Sequence, residues 1–558
     1  MRKIILREKE KVIKMNKKKL VAAVLFLVAL LTVGAYAYSG GSGTSADPYQ
    51  ISNAADLASL STSAASSTLN GIYFKQTADI TLSSAFTPIG SASYPFAGTY
   101  DGASYKISGL NVSGGEYAAL FGCTNSASIK NVRVVSSVSS GTKYVSLVVA
   151  KADGNTTISN CSSDGTISLG SGSAINAYIG GIAGYASAGT VIEDSNSSAT
   201  IASIAPSFNA FIGGIVGQNI GTVKRSTSFA EISGSSSNYL LEIGGIVGEN
   251  RGSIEGSVNE GAVSGQILSN AAALYIGGVA GCNNGGSIVR VQNTASVGAT
   301  GYSTYPAYAG GIVGYNNVGT ISVAKNSGDI TSTGSYAGGI VGVNHASEAD
   351  SSITDANNAG TVTGSGSIAG GIAGGNTSAG PISHEAAITS SLNSTSGSIS
   401  VGAVETTEGG ISSISNVYVN GATDSNANTV SNLSTVSSLS GLTNAAWVYP
   451  KDGFNPSITV VKDLTATEVV GIDKDASANK VAYTIYNPTG SAKNASVVIS
   501  FFNEGRLVGT KIVENISIRS GYNVYTASSE YVDDSDRVKI VAFSTLSGLV
   551  PVADFANY

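Results

Sequence analysis

Two histidines in 558 residues leave little room for acid–base or metal chemistry. His384-Glu385 opens the pattern by which zinc proteases hold their metal, two histidines four apart with a glutamate beside the first. Position 388 is isoleucine, however, and the other histidine is His345. Both histidines fall in polar, loop-like stretches, which also disfavours Ser-His-Asp catalysis. Carboxylates offer a second chemistry, because β-helical lyases and glycosidases set two or three acids on one coil face. The groups available are Glu348, Asp350 and Asp355, in a loop that lengthens its repeat, and Glu193 with Asp194. No dense cluster of acids with Lys and Arg surrounds them, so they read as solvated turn residues. Cys123, Cys161 and Cys282 are too widely spaced for a disulfide framework or paired metal ligands, and read as small semi-buried residues. The glycine pairs lack the lysine of a phosphate loop. The expectation is no catalytic residue, no metal and no cofactor.

What does recur is a phrase. An aromatic or aliphatic pair followed by Gly-Gly-Ile/Val-Val/Ala-Gly occurs seven times, as in Tyr178-Ile-Gly-Gly-Ile-Ala-Gly184, Phe211-Ile-Gly-Gly-Ile-Val-Gly217 and Tyr308-Ala-Gly-Gly-Ile-Val-Gly314. The first glycines stand at 180, 213, 244, 277, 310, 338 and 370. Steps of 28 to 33 residues mean an array whose units bury their apolar side only against neighbours. Each unit reads as three short strands separated by Asn and Gly turns, one coil of a right-handed parallel β-helix. A propeller blade needs about 40 residues or more.

Two columns follow from stacking the copies. Two positions past the last glycine stand Asn219, Asn250, Asn283, Asn316, Asn344 and Asn376, which coils about 4.8 Å apart would align as a structural amide ladder. Two positions before the first glycine stand Tyr144, Tyr178, Phe211, Tyr275, Tyr308 and Tyr336, broken by Glu242 and Ile368. The column reads as core or as a half-buried rib. A sugar-stacking strip is the other reading, and it makes Tyr178, Phe211, Tyr275, Tyr308 and Tyr336 the candidate ligand-binding residues.

With 70 glycines, 42% apolar and only 12% charged residues, the composition is that of an all-β chain. Nine basic residues precede an apolar run at 20–33 and the small-x-small pattern Ala35-Tyr36-Ala37, a secretory signal over residues 1–37 whose start is Met1 or Met15. Its removal leaves 30 − 9 basic and 36 − 2 acidic residues, a net charge of −13 that repels nucleic acid. An N-terminal cap and first coils are expected over 38–106, with a helix capped by Asn53 and carrying Leu57 and Leu60. The repeat array is assigned to 107–420, with regularity fading after Gly380, and a terminal coil and linker to 421–456. The alternating strands of 457–558 form a small β-sandwich of immunoglobulin-like type. The fold class expected is therefore all-β, a right-handed parallel β-helix (solenoid) followed by a small β-sandwich.

Thr44 to Gln50, Gly71-Ile-Tyr-Phe-Lys-Gln-Thr-Ala-Asp-Ile80, Pro95-Phe-Ala-Gly-Thr-Tyr-Asp-Gly102 and Leu120-Phe-Gly122 occur in an order similar to the opening of secreted bacterial proteins carrying GLUG motifs. The Gly-Gly-Ile-Val-Gly phrases resemble the GLUG repeats themselves. The resemblance spans roughly residues 44–450 and implies an extracellular β-helix of the kind found in adhesin-like proteins and beside the catalytic part of IgA-cleaving metallopeptidases. The histidine count leaves no place for that peptidase part. The C-terminal segment is similar to a sandwich domain of clostridial surface proteins.

The function expected is that of a non-catalytic, adhesin-like protein, secreted or at the cell surface, using the rod as scaffold and recognition surface. Its partners would be a host or matrix glycan or protein, or the chain itself. No nucleic acid is expected, and membrane contact only through the signal. A carbohydrate-active enzyme or carbohydrate-binding accessory protein is the first alternative, and a surface-layer or filament subunit the second.

Overall fold

The computed structural model describes residues 38–378 apart from 171–175, 206–207, 270–272, 302–306 and 365–367. Beyond them it describes strands at 385–393, 411–420, 428–430, 447–448 and 457–458, and most of 468–557. The expected signal, His384 and most of the expected linker lie outside the described residues. Among those described, no helix is long and apolar enough to cross a membrane.

Helix α1, Ala54–Ala64, closes the N-terminal end. The side-chain oxygen of Asn53 accepts from the amides of Ala55 and Asp56 at 2.9 and 3.0 Å, satisfying two donors that the first turn leaves without helical partners. Leu57 and Leu60 are fully buried in the same apolar cluster as the coils, so the helix covers an otherwise open hydrophobic end.

Behind α1 the chain winds as a parallel β-solenoid. One position can be followed by direct pairing from Tyr49 to Phe74, Tyr100, Ile129, Ile158 and Ile192, and onward through Val223, Ile254, Ile288, Ile321 and Ile353 to Ile388 and Ile414. Parallel pairing therefore starts well before the first clean phrase. It also continues past Gly380, where the sequence pattern fades, through Glu385–Asn393 and Ile411–Asn420. Three sheets line the tube. The first runs from Tyr117–Ala118 to Ile368–Gly370 and the second from Phe121–Asn125 to Ala373–Ser378, nine strands each; the third has 28 strands.

The phrase differs from expectation in being two strands. It bends at Gly-Gly-Ile, so that Ala307–Gly310 belongs to the first sheet and Val313–Asn317 to the second. Coil-to-coil bonding continues through the bend, with the Gly181 amide on the Gly214 carbonyl at 3.1 Å and Ile182 on Ile215 at 3.0 Å. The glycines have negative φ, so space and not dihedral freedom selects them. A methyl on Gly245 would overlap both Asn259 and the Gly278 carbonyl of the next coil.

The C-terminal region is a separate seven-stranded assembly, antiparallel apart from one parallel join between Glu468–Asp475 and Pro551–Asn557. Val481, Tyr483, Val497, Ile499, Phe501 and Ile540 are buried together in its core. This small antiparallel region matches the fold class read from the alternating strands.

Candidate functional site

The bend in each phrase sets two residue columns face to face across a corner of the tube. The first contains Tyr117, Tyr144, Tyr178, Phe211, Glu242, Tyr275, Tyr308 and Tyr336 in unbroken register. The second contains Cys123, Lys151, Tyr185, Gln218, Glu249, Cys282, Tyr315 and Val343. Coil spacing brings Tyr117–Tyr144, Tyr144–Tyr178 and Tyr178–Phe211 into stacks with centroids 5.3, 5.2 and 5.2 Å apart. Tyr275 and Tyr308 stack at 5.3 Å and 5°, while Tyr336 turns edge-on to Tyr308. Tyr185 packs edge-on against Tyr178, and Tyr315 packs against Tyr275, from across the corner. Lys143 and Lys151 sit over Tyr144 at 5.0 and 5.8 Å. These rings give their faces to one another, so the column offers a ligand mainly edges and hydroxyls. Tyr144, Tyr178 and Phe211 are buried, and Tyr275, Tyr308 and Tyr336 are half-buried.

Where the aromatic column is interrupted, two carboxyls meet in one coil. Glu242 is 3% exposed and its Oε2 has no hydrogen-bond partner. Glu249, facing it, accepts from Arg251 Nε at 2.7 Å and Asn284 Nδ2 at 3.1 Å, and from Gln218 of the preceding coil. Burial pushes the Glu242 carboxyl well above its ordinary value, and the Glu249 charge pushes the same way. Cys282, one coil on, is raised by burial and by the same two acids. The thiol is therefore held protonated and unreactive. Cys123 and Cys161 are likewise buried and free. Sequence reading treated Glu242 only as a gap in the column; its partner lies seven residues away and becomes visible only once the phrase bends.

The asparagines form two ladders. Asn219, Asn250, Asn283, Asn316, Asn344 and Asn376 are fully buried, each Nδ2 donating to the Oδ1 of the next at 2.7–2.9 Å. A second ladder, not foreseen, runs through Asn259, Asn293, Asn326 and Asn358 at 2.8 Å per step. It continues a serine column, Ser163, Ser197 and Ser228, and it occupies the space that the second glycine of each phrase leaves open.

Of the acids singled out in the sequence, Glu193 and Asp194 bridge coils. Glu193 and Asp194 pair with Arg225 of the next coil at 2.8 and 2.7 Å, and Glu193 also with Lys224 at 3.0 Å. Asp194 belongs to a turn repeated on successive coils, where Asn131, Asn160, Arg225, Arg290, Val323 and Asp355 all adopt left-handed backbone with φ of 49–55°. Glu348 and Asp350 are exposed. His345 stacks on Tyr315 and contacts Thr377 Oγ1 through Nδ1 at 2.7 Å, and burial lowers its pKa. Among the described residues, no group of three His, Cys, Asp or Glu is placed to hold a metal ion.

A concave surface lies elsewhere, on the third sheet. A trough of about 710 Å³ crosses successive coils along the outward column Ser168, Ala202, Ser233, Ser264, Gly298 and Thr331. Beside it runs Ser235, Gln266 and Thr300. The intervening inward column, Ser203, Gly234, Gly265 and Ala299, is small, and a methyl on Gly265 would lie 3.0 Å from Ile243 Cδ1. The sheet is thus drawn against the core here, which hollows its outer surface. Among the described residues, no charged side chain lines the trough.

No family model matches the chain. Over 172 residues, 28% of this chain, it is 30% identical to halomucin of Haloquadratum walsbyi, and that match spans 2% of halomucin's length. A crystal structure from Bacteroides ovatus, provisionally described as an immunoglobulin A1 protease, aligns with 58% of this chain and 80% of its own at 22% identity, with a TM-score of 0.33.

Proposed function

We propose that this is a non-catalytic recognition protein, secreted or held at the cell surface, whose solenoid presents the third-sheet trough to an extended, uncharged polymer. The trough itself is the observation that carries the reading. Short hydroxyl and amide side chains repeat at coil spacing, about 4.8 Å, with no charge among them. A glycan strand has a comparable repeat and the hydroxyls to match. The partial likeness to halomucin and the GLUG-like phrases support a surface setting, and the alternating strands and shared apolar core of the C-terminal region support an immunoglobulin-like module.

The test is glycan-array and calorimetric binding to the full chain and to Ser264→Trp, which fills the trough at mid-length. Binding is expected to fall at least tenfold in Ser264→Trp and to survive Tyr275→Ala. The reverse order would move recognition to the aromatic corner. Release of shorter products from a bound polysaccharide would replace the reading with an enzymatic one.

A further inference from the structure

Granted that the trough is the recognition surface, we propose that its ligand is a neutral glycan of β-linked sugars, extended along the solenoid axis, and that Tyr239 and Leu268 at the trough's edge hold its ring faces. In Val263–Ile267 alternate side chains face outward, and the outward pair Ser264 and Gln266 line the trough. Leu268 is next in that alternation and is 45% exposed. Its amide donates to the Ser236 carbonyl of the preceding coil at 2.8 Å. On that coil the Ser236 hydroxyl accepts from the Tyr239 amide at 3.3 Å and donates to the Tyr239 carbonyl at 2.8 Å, which fixes Tyr239 just past the trough residue Ser235. Tyr239 is 42% exposed, whereas Tyr178 of the aromatic corner is 9% exposed and stacked on both sides. Two large apolar side chains therefore stand open to solvent on adjacent coils, the third and fourth of the six between Ser168 and Thr331.

A sugar ring whose substituents are all equatorial has two chemically different surfaces, a rim of hydroxyls and two faces of C–H bonds. The trough offers partners for both. Ser233, Ser264, Gln266 and Thr300 can exchange hydrogen bonds with hydroxyls, while the Tyr239 ring and Leu268 cover a face and leave water on binding. A β-1,4 linkage joins such sugars through equatorial bonds and keeps the chain straight, so that successive sugars meet successive coils about 4.8 Å apart. An α-1,4 linkage curls the chain and takes it off the line of the coils. An extended polypeptide advances about 3.4 Å per residue and falls out of step with them. A polyanionic glycan finds no cation in the trough among the described residues, and meets a chain of net charge −6.

The test is titration calorimetry of the full chain with glucose oligosaccharides of the β-1,4-linked cello-series and the α-1,4-linked malto-series. Affinity for the cello-series is expected to rise with length up to about six sugars, one per coil. Cellohexaose is expected to bind at least about tenfold tighter than maltohexaose. Tyr239→Ala should weaken cellohexaose binding about tenfold and Leu268→Ala about threefold, with Tyr239→Phe close to wild type, since the ring and not the hydroxyl makes the contact. All three substitutions are at exposed positions and should leave the thermal midpoint unchanged. Unchanged binding in Tyr239→Ala and Leu268→Ala, with binding lost in Ser264→Trp, would overturn the role of the edge and leave the trough as the recognition surface. Equal affinity for the two hexaoses would overturn the linkage. Failure of both hexaoses to bind would overturn the β-glycan assignment, and would overturn the trough as well only if glycan arrays find no ligand that Ser264→Trp loses.

Discussion

Glu242 shows how one side chain can set a pH response. Its folded pKa lies above the ordinary 4.5 because burial and Glu249 both oppose its charge. For an acid with a raised folded pKa, the favourable contribution is complete below the unfolded pKa and is lost as pH rises toward the folded value. The thermal midpoint of the wild type is therefore expected to fall relative to Glu242→Gln as pH rises above about 4.5, the gap growing until the folded pKa is reached. Parallel melting curves for the two proteins from acid to neutral pH would refute the assignment. The asparagines are a second case at this scale. Asn283→Ala removes the acceptor for Asn250 and the donor to Asn316 in a fully buried row. Leaving those partners unsatisfied should lower unfolding free energy by about 2–4 kcal/mol. Asn111→Ala, at an exposed position, should change it by less than about 0.5 kcal/mol, with urea denaturation as the measure for both.

At the scale of elements, glycine has two different meanings in this fold. Gly245 sits against Asn259 and the next coil, so Gly245→Ala should destabilise by about 3 kcal/mol or more through overlap that cannot relax. Gly298 has nothing within 4 Å of an added methyl and lies in a strand. Gly298→Ala should accordingly stabilise by a few tenths to about 1 kcal/mol. Chemical denaturation of the two variants reports the contrast directly. The same elements explain how far the sequence could be read. The first ladder was legible because Asn250, Asn283 and Asn316 stand at a fixed offset from the phrase. The second was not, because Asn259, Asn293 and Asn358 follow segments of changing length and give way to Ser228 and Ser197 in earlier coils. The left-handed turn was hidden for another reason. The backbone adopts it on successive coils from Asn131 to Asp355, and Arg225, Val323 and Asp355 share no side-chain signature. The trough arises from what Gly234 and Gly265 lack, and no motif records an absence of volume.

For the whole molecule, register makes the coil a removable unit. Excising residues 278–310 joins Gly277 to Gly311 and would bring Asn250 to Asn316 and Asn259 to Asn326, restoring both rows. The shortened chain is expected to keep its β circular-dichroism spectrum and a cooperative melt, whereas excising residues 278–293 should abolish both. The direction of those amide bonds carries a further consequence. Asn219 gives its hydrogen to Asn250, Asn250 to Asn283, and Asn259 to Asn293, always toward the higher-numbered coil. Within these two rows the amide dipoles therefore lie head to tail, and each row has an electrical sense along its length that owes nothing to ionised groups. A coil grafted in backwards would set hydrogen against hydrogen at its junctions, so such a chain can grow by duplicating a coil but not by inverting one.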